Sequence, residues 1–126
     1  MNHVSVLAPI ERAGLDPERL EALFTHLGPQ EAENALCRAV EELAYRLGHL
    51  DRLHQQCRWP EMRSQTCELG EIARFIGMQA TARISCDVVQ CLDDGDRVAL
   101  AATLARLGRM GERSLYAIWD MEDQSI

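Results

Sequence analysis

Apolar residues recur at steps of three and four in five separate segments of this chain, and a turn signal separates each segment from the next. The longest segment lies between Gly28-Pro29 and Arg58-Trp59-Pro60 and extends to about Gln56. Its Leu36, Val40, Leu43, Leu47 and Leu50 form the stripe of an amphipathic helix. Before it, Asp16 is placed to cap a short helix opening on Pro17, with Leu20, Leu23 and Leu27 as its apolar face. A third helix is predicted from about Pro60 to Ile76, since Pro is tolerated in a first turn. Its inward face is Met62, Thr66, Leu69, Ala73 and Ile76, assisted by Ile72. Gly77 turns the chain into a fourth helix lined by Ile84, Val88 and Leu92. Asp93-Asp94-Gly95-Asp96 turns it again, into a last helix carrying Leu100, Leu104, Leu107, Leu115 and Ile118. Gly108 and Gly111 interrupt that helix at a cost of about 1 kcal/mol each relative to Ala, and mark either close packing or a bend.

The predicted fold is all-α: an antiparallel four-helix bundle with an additional short N-terminal helix. Aromatic residues are 5% of the 126, too few for a sheet built on aromatic and β-branched pairs. The length suits one domain, placed at residues 15–119. Residues 1–14 show no sustained periodicity and are read as a flexible lead-in, and residues 120–126 as a C-terminal tail. A formal net charge of −7 argues against nucleic acid or an anionic membrane surface as partner. No apolar run approaches the roughly 18 residues of a membrane span. Met1 to Ala8 lacks the pattern of a signal peptide, so a cytoplasmic location is expected. Five cysteines, Cys37, Cys57, Cys67, Cys86 and Cys91, contain no C-x-x-C pair. An odd number excludes complete pairing within one chain, and neither a zinc knuckle nor any other metal or cofactor is expected.

The segment from Cys67 to Gly77, Cys-Glu-Leu-Gly-Glu-Ile-Ala-Arg-Phe-Ile-Gly, resembles the signature helix of the histidine phosphotransfer (Hpt) domain family. That helix carries His-x-Leu-Lys-Gly and, six positions further on, a second Gly that opens the next turn. Aligned on Gly77, Leu69 matches the buried leucine, Cys67 stands at the phospho-accepting histidine, Gly70 at the lysine and Glu71 at the small glycine. The resemblance extends over roughly residues 15 to 118. Leu15-Asp16-Pro17-Glu18-Arg19-Leu20 is similar to the family's opening, Trp59 to the aromatic before the signature helix, and Leu92 to Asp96 to its acidic turn. It implies a bacterial-type phosphorelay setting, with a response-regulator receiver domain or a histidine kinase as partner and self-association as a further option.

The residues that would perform the chemistry are replaced, so the expected role is a non-catalytic binding module that docks a partner without passing phosphate. Arg63, Cys67, Gly70 and Arg74 fall on one helical strip opposite Leu69 and Ala73, and Glu71 and Phe75 border it. These six are the expected partner-binding residues, and Arg58 with Trp59 extends them as an anchor patch. Two alternatives stand beside this reading. Cys67, between Arg63 and Arg74, is a candidate thiol-based redox switch. A displaced histidine is the other: His49 points outward from the second helix, and His54 continues its apolar stripe. His3 lies in the lead-in, and His26 ends the first helix, where a cation complements the helix dipole.

Overall fold

The computed structural model describes residues 12–124, with side chains to residue 121. His3 and most of the lead-in therefore lie outside the described residues. Among the described residues five full helices follow in order: α1 Pro17–Leu27, α2 Pro29–Gln55, α3 Trp59–Phe75, α4 Gln79–Asp94 and α5 Arg97–Gln124. No strand occurs among the described residues.

Local chemistry accounts for the boundaries. The Asp16 carboxylate accepts from the backbone N–H groups of Glu18 and Arg19, at 3.1 and 3.3 Å, and Pro17 occupies the first turn of α1. Gly95 adopts the left-handed conformation that ends α4, and Asp96 accepts from the Ala99 N–H at 3.0 Å to begin α5. Gly77 has a φ of +79° between α3 and α4, and its carbonyl accepts from the Asp16 N–H at 2.7 Å. That bond ties the start of α1 to the α3–α4 turn.

The helices pack in chain order, each on the next, and α5 returns to α2 around a single core. Cross-helix contacts show that α3 and α4, and α4 and α5, run in opposite directions. On α3, Arg63 and Gly70 meet Asp93 and Ser85 of α4; on α4, Thr81, Asp87 and Cys91 meet Ser114, Arg106 and Thr103 of α5. The inward residues expected on α3 are all buried, with Ile72 partly so. Leu43, Leu69, Ile76, Val88 and Leu104 share one core, and Leu47 packs at its edge. No buried side-chain polar atom among the described residues lacks a hydrogen-bond partner, since Thr66 and Ser85 bond back to carbonyls of their own helices.

Three expectations are corrected, and the alternative left at Gly108 and Gly111 is resolved. Leu27 is exposed, because α1 ends there and only Leu20 and Leu23 reach the core. Ala13 and Gly14, assigned to the lead-in, belong to the packed body. Ala13 is buried, its carbonyl accepts from the Ser114 hydroxyl, and Gly14 lies against Ala80 and Met110. The tail expected from residue 120 is helical through Gln124, with Met121 packed on the core. Gly108 and Gly111 do not break α5. Gly111 is a close-packing site whose missing side chain leaves room for Leu47 of α2, while Gly108 faces open space.

Candidate functional site

Position 67 is exposed midway along α3, on the side away from buried Leu69 and Ala73. Beside it runs a groove of about 250 Å³ between α3 and α4, bordered by Cys67, Gly70, Glu71 and Arg74 from one helix and by Ser85 and Cys86 from the other. The groove exists because α3 and α4 approach closely at Gly70. A Cβ there would stand 3.3 Å from the Ser85 Cβ, so a larger residue would press the helices apart.

This geometry corrects the expected strip. Gly70 is buried beneath the groove rather than exposed between Cys67 and Arg74. A helical wheel places it beside the strip, but α4 covers it. Arg63 is exposed and directed away from the groove, to Asp93 on α4, through two hydrogen bonds of 2.7 and 3.1 Å. The hydrogen bond to Asp93, then the carboxylate's charge and the potential of the Cys67 sulfur, raise the Arg63 pKa above its ordinary value. The same hydrogen bond, supported by the guanidinium charge, holds Asp93 below the ordinary carboxylate value.

Arg74 donates to the Cys86 sulfur at 3.1 Å, which makes Cys86 part of the site. No local pattern in the sequence singles out Cys86; only the pairing of α3 with α4 brings it to the groove that Cys67 borders. Glu71 stands on a ridge, bordering this groove and a second of about 380 Å³ between α2 and α3, where Ile72 and Phe75 lie. Phe75 is 42% exposed and carries the Arg19 guanidinium 5.7 Å from its ring centroid, so one of its faces belongs to α1. On the α2 side, Arg46 spans Glu42, Gln65 and Glu68, joining α2 to α3.

The anchor patch expected around Trp59 makes contacts within the chain. Trp59 is partly buried on the core, Arg97 of α5 stacks 4.0 Å from its ring centroid, and His54 meets its edge at 5.8 Å. Arg58 is paired with Glu61. Neither displaced histidine borders the Cys67 groove: His54 packs against Trp59, and His49 stacks on Tyr45 with centroids 6.1 Å apart. Among the described residues no group of three or more His, Cys, Asp or Glu is placed to hold a metal ion. No described helix is long and apolar enough to cross a membrane.

No protein-family model, curated protein or solved structure matches this chain.

Proposed function

We propose that this protein is a non-catalytic binding module of the phosphorelay type: a four-helix bundle with a short extra N-terminal helix, similar to histidine phosphotransfer domains. In this reading the exposed face of α3 docks a receiver domain or a histidine kinase in a bacterial cytoplasm and passes no phosphate. The observation that carries it is position 67, a solvent-facing thiol at mid-helix where the Hpt-like signature would carry its nucleophile. Leu69 is buried behind it, and Gly77 opens the following turn. The ridge Cys67, Glu71, Arg74 and Phe75, with a groove on either side, is the docking surface. Glu71 limits approach of an acidic receiver pocket and accounts for docking without transfer.

Incubation with phosphorylated receiver domains tests this reading by following complex formation and label together. Complex formation without label is the expected result. Acid-labile, base-stable label on the wild-type protein that disappears in His49→Ala or His54→Ala would overturn it. Because Gly70 is buried, restoring a nucleophile calls for Cys67→His with Glu71→Gly and leaves position 70 unchanged.

A thiol-based switch is the second reading, favoured by one observation: Cys67 and Cys86 border the same groove, with Arg74 donating to the second sulfur. Loss of receiver binding on alkylation of the wild type, but not of Cys67→Ser, would support it.

A further inference from the structure

Every basic side chain of this protein other than histidine is an arginine; the chain contains no lysine. Four of the 13 arginines, Arg19, Arg74, Arg83 and Arg106, border one groove of about 870 Å³ formed by the start of α1, the end of α3, α4 and α5. Among the described residues the only carboxylates that border it are Asp16 and Asp87, so the local charge is opposite in sign to the overall −7. Both carboxylates are engaged. Asp16 caps α1, and Asp87 binds Arg106 at 3.1 Å. Arg74 donates to a thiol and Arg19 to the Phe75 carbonyl. Arg83 pairs with no carboxylate among the described residues. The first turn of α4 borders the groove at Gln79 and Ala80 without a side-chain cap, but the Gly14 carbonyl already accepts from the Ala80 N–H at 3.1 Å, so the arginines rather than this helix end supply the groove's positive charge. The floor is apolar, from Ala80, Ile84 and Met110.

We propose that this groove is a binding site for a small phosphorylated molecule of nucleotide size. Guanidinium groups hold phosphate oxygens in a planar fork, and their flat faces accept a planar ring. The volume lies within the roughly 300–1,000 Å³ of small-molecule sites. A small ligand also suits the charge balance better than an acidic protein. A large acidic partner meets the repulsion of the whole surface within a Debye length of about 8 Å, whereas a small anion experiences the local field of the four arginines. This site adjoins the proposed docking ridge, and Arg74 borders both.

Titration calorimetry of the full chain with ADP, inorganic pyrophosphate and adenosine tests the proposal. ADP and pyrophosphate bind, and adenosine binds more weakly or not at all. Arg83→Gln and Arg83→Glu weaken ADP by about ten-fold or more, the order expected for losing a charge-assisted hydrogen bond. Arg83 is exposed, so these variants keep the wild-type circular dichroism spectrum. Arg52→Glu, an equal change of charge at an exposed site on α2 away from the groove, leaves ADP affinity within two-fold, roughly the scatter expected of a distant site. Failure of both ADP and pyrophosphate to bind would overturn the proposal. So would equal weakening by Arg83→Glu and Arg52→Glu, which marks unspecific charge attraction. Binding of a poly-glutamate peptide in place of ADP would also overturn it and assign the groove to an acidic polypeptide.

Discussion

Gly70 on α3 faces Ser85 on α4 so closely that a Cβ at position 70 would stand 3.3 Å from the Ser85 Cβ, tighter than an ordinary van der Waals contact. Ser85 is itself buried and donates its hydroxyl back to the Thr81 carbonyl at 2.9 Å, so it presents its methylene, not a free polar group, to Gly70. This contact sets the α3–α4 separation, and thereby the width of the groove that Cys67 and Cys86 border.

Gly70→Lys is therefore expected to destabilise the protein by about 1–3 kcal/mol, the usual cost of overpacking a close contact, although lysine is the better helix former. Urea denaturation measures it. An unchanged or raised midpoint would show that position 70 has space and that α4 does not cover it.

Leu69→Ala removes a fully buried side chain from the centre of the core and should cost about 2–5 kcal/mol. A loss under about half a kilocalorie in the same denaturation experiment, the size of a surface effect, would place Leu69 outside the core and misorient the whole of α3.

Gly77→Ala combines two penalties. Its φ of +79° costs a residue with a Cβ about 1–2 kcal/mol, and that Cβ would stand 3.1 Å from the Asp16 carbonyl oxygen. A total loss of about 1–3 kcal/mol is expected. Hydrogen exchange should show the opening concentrated at the Asp16 N–H, which donates to the Gly77 carbonyl.

The Arg63–Asp93 link gives a pH-dependent signal. Asp93 titrates below its ordinary value of 3.8 in the folded protein, chiefly through the Arg63 hydrogen bond. Its contribution to stability is thus present above that value and lost as the pH falls through the depressed pKa. Carboxyl-carbon NMR should find the Asp93 midpoint under 3.8 in wild type and near it in Arg63→Gln. Coincident midpoints in the two proteins would mean that the pair does not form in solution.

Helix positions and inward faces were legible in the sequence because they depend on local periodicity. The spacing of Met62, Thr66, Leu69, Ala73 and Ile76 places all five on one side of a helix whatever surrounds it, and Asp16 and Gly95 act within a turn of the ends they cap. Exposure of Cys67 followed from the same rule, being opposite Leu69.

What covers the flank of each helix is a different matter, because it depends on which neighbour lies there and how near. Gly70 has no side chain to reveal its direction, and only the approach of α4 at Ser85 buries it. Gly111 reads as a helix interruption until Leu47 of α2 fills the space beside it. Ala13 and Gly14 lie outside any periodic pattern, and are held by Ser114 and Ala80 from helices far along the chain. Arg19, Arg74, Arg83 and Arg106 are scattered on four helices or their connections, and each looks like an ordinary solvated charge. Folding gathers them into one groove because the Asp16–Gly77 hydrogen bond fastens the start of α1 beside α4. Periodicity and local capping determined the helices of this protein, while the distances between helices, which no single segment encodes, decided its sites.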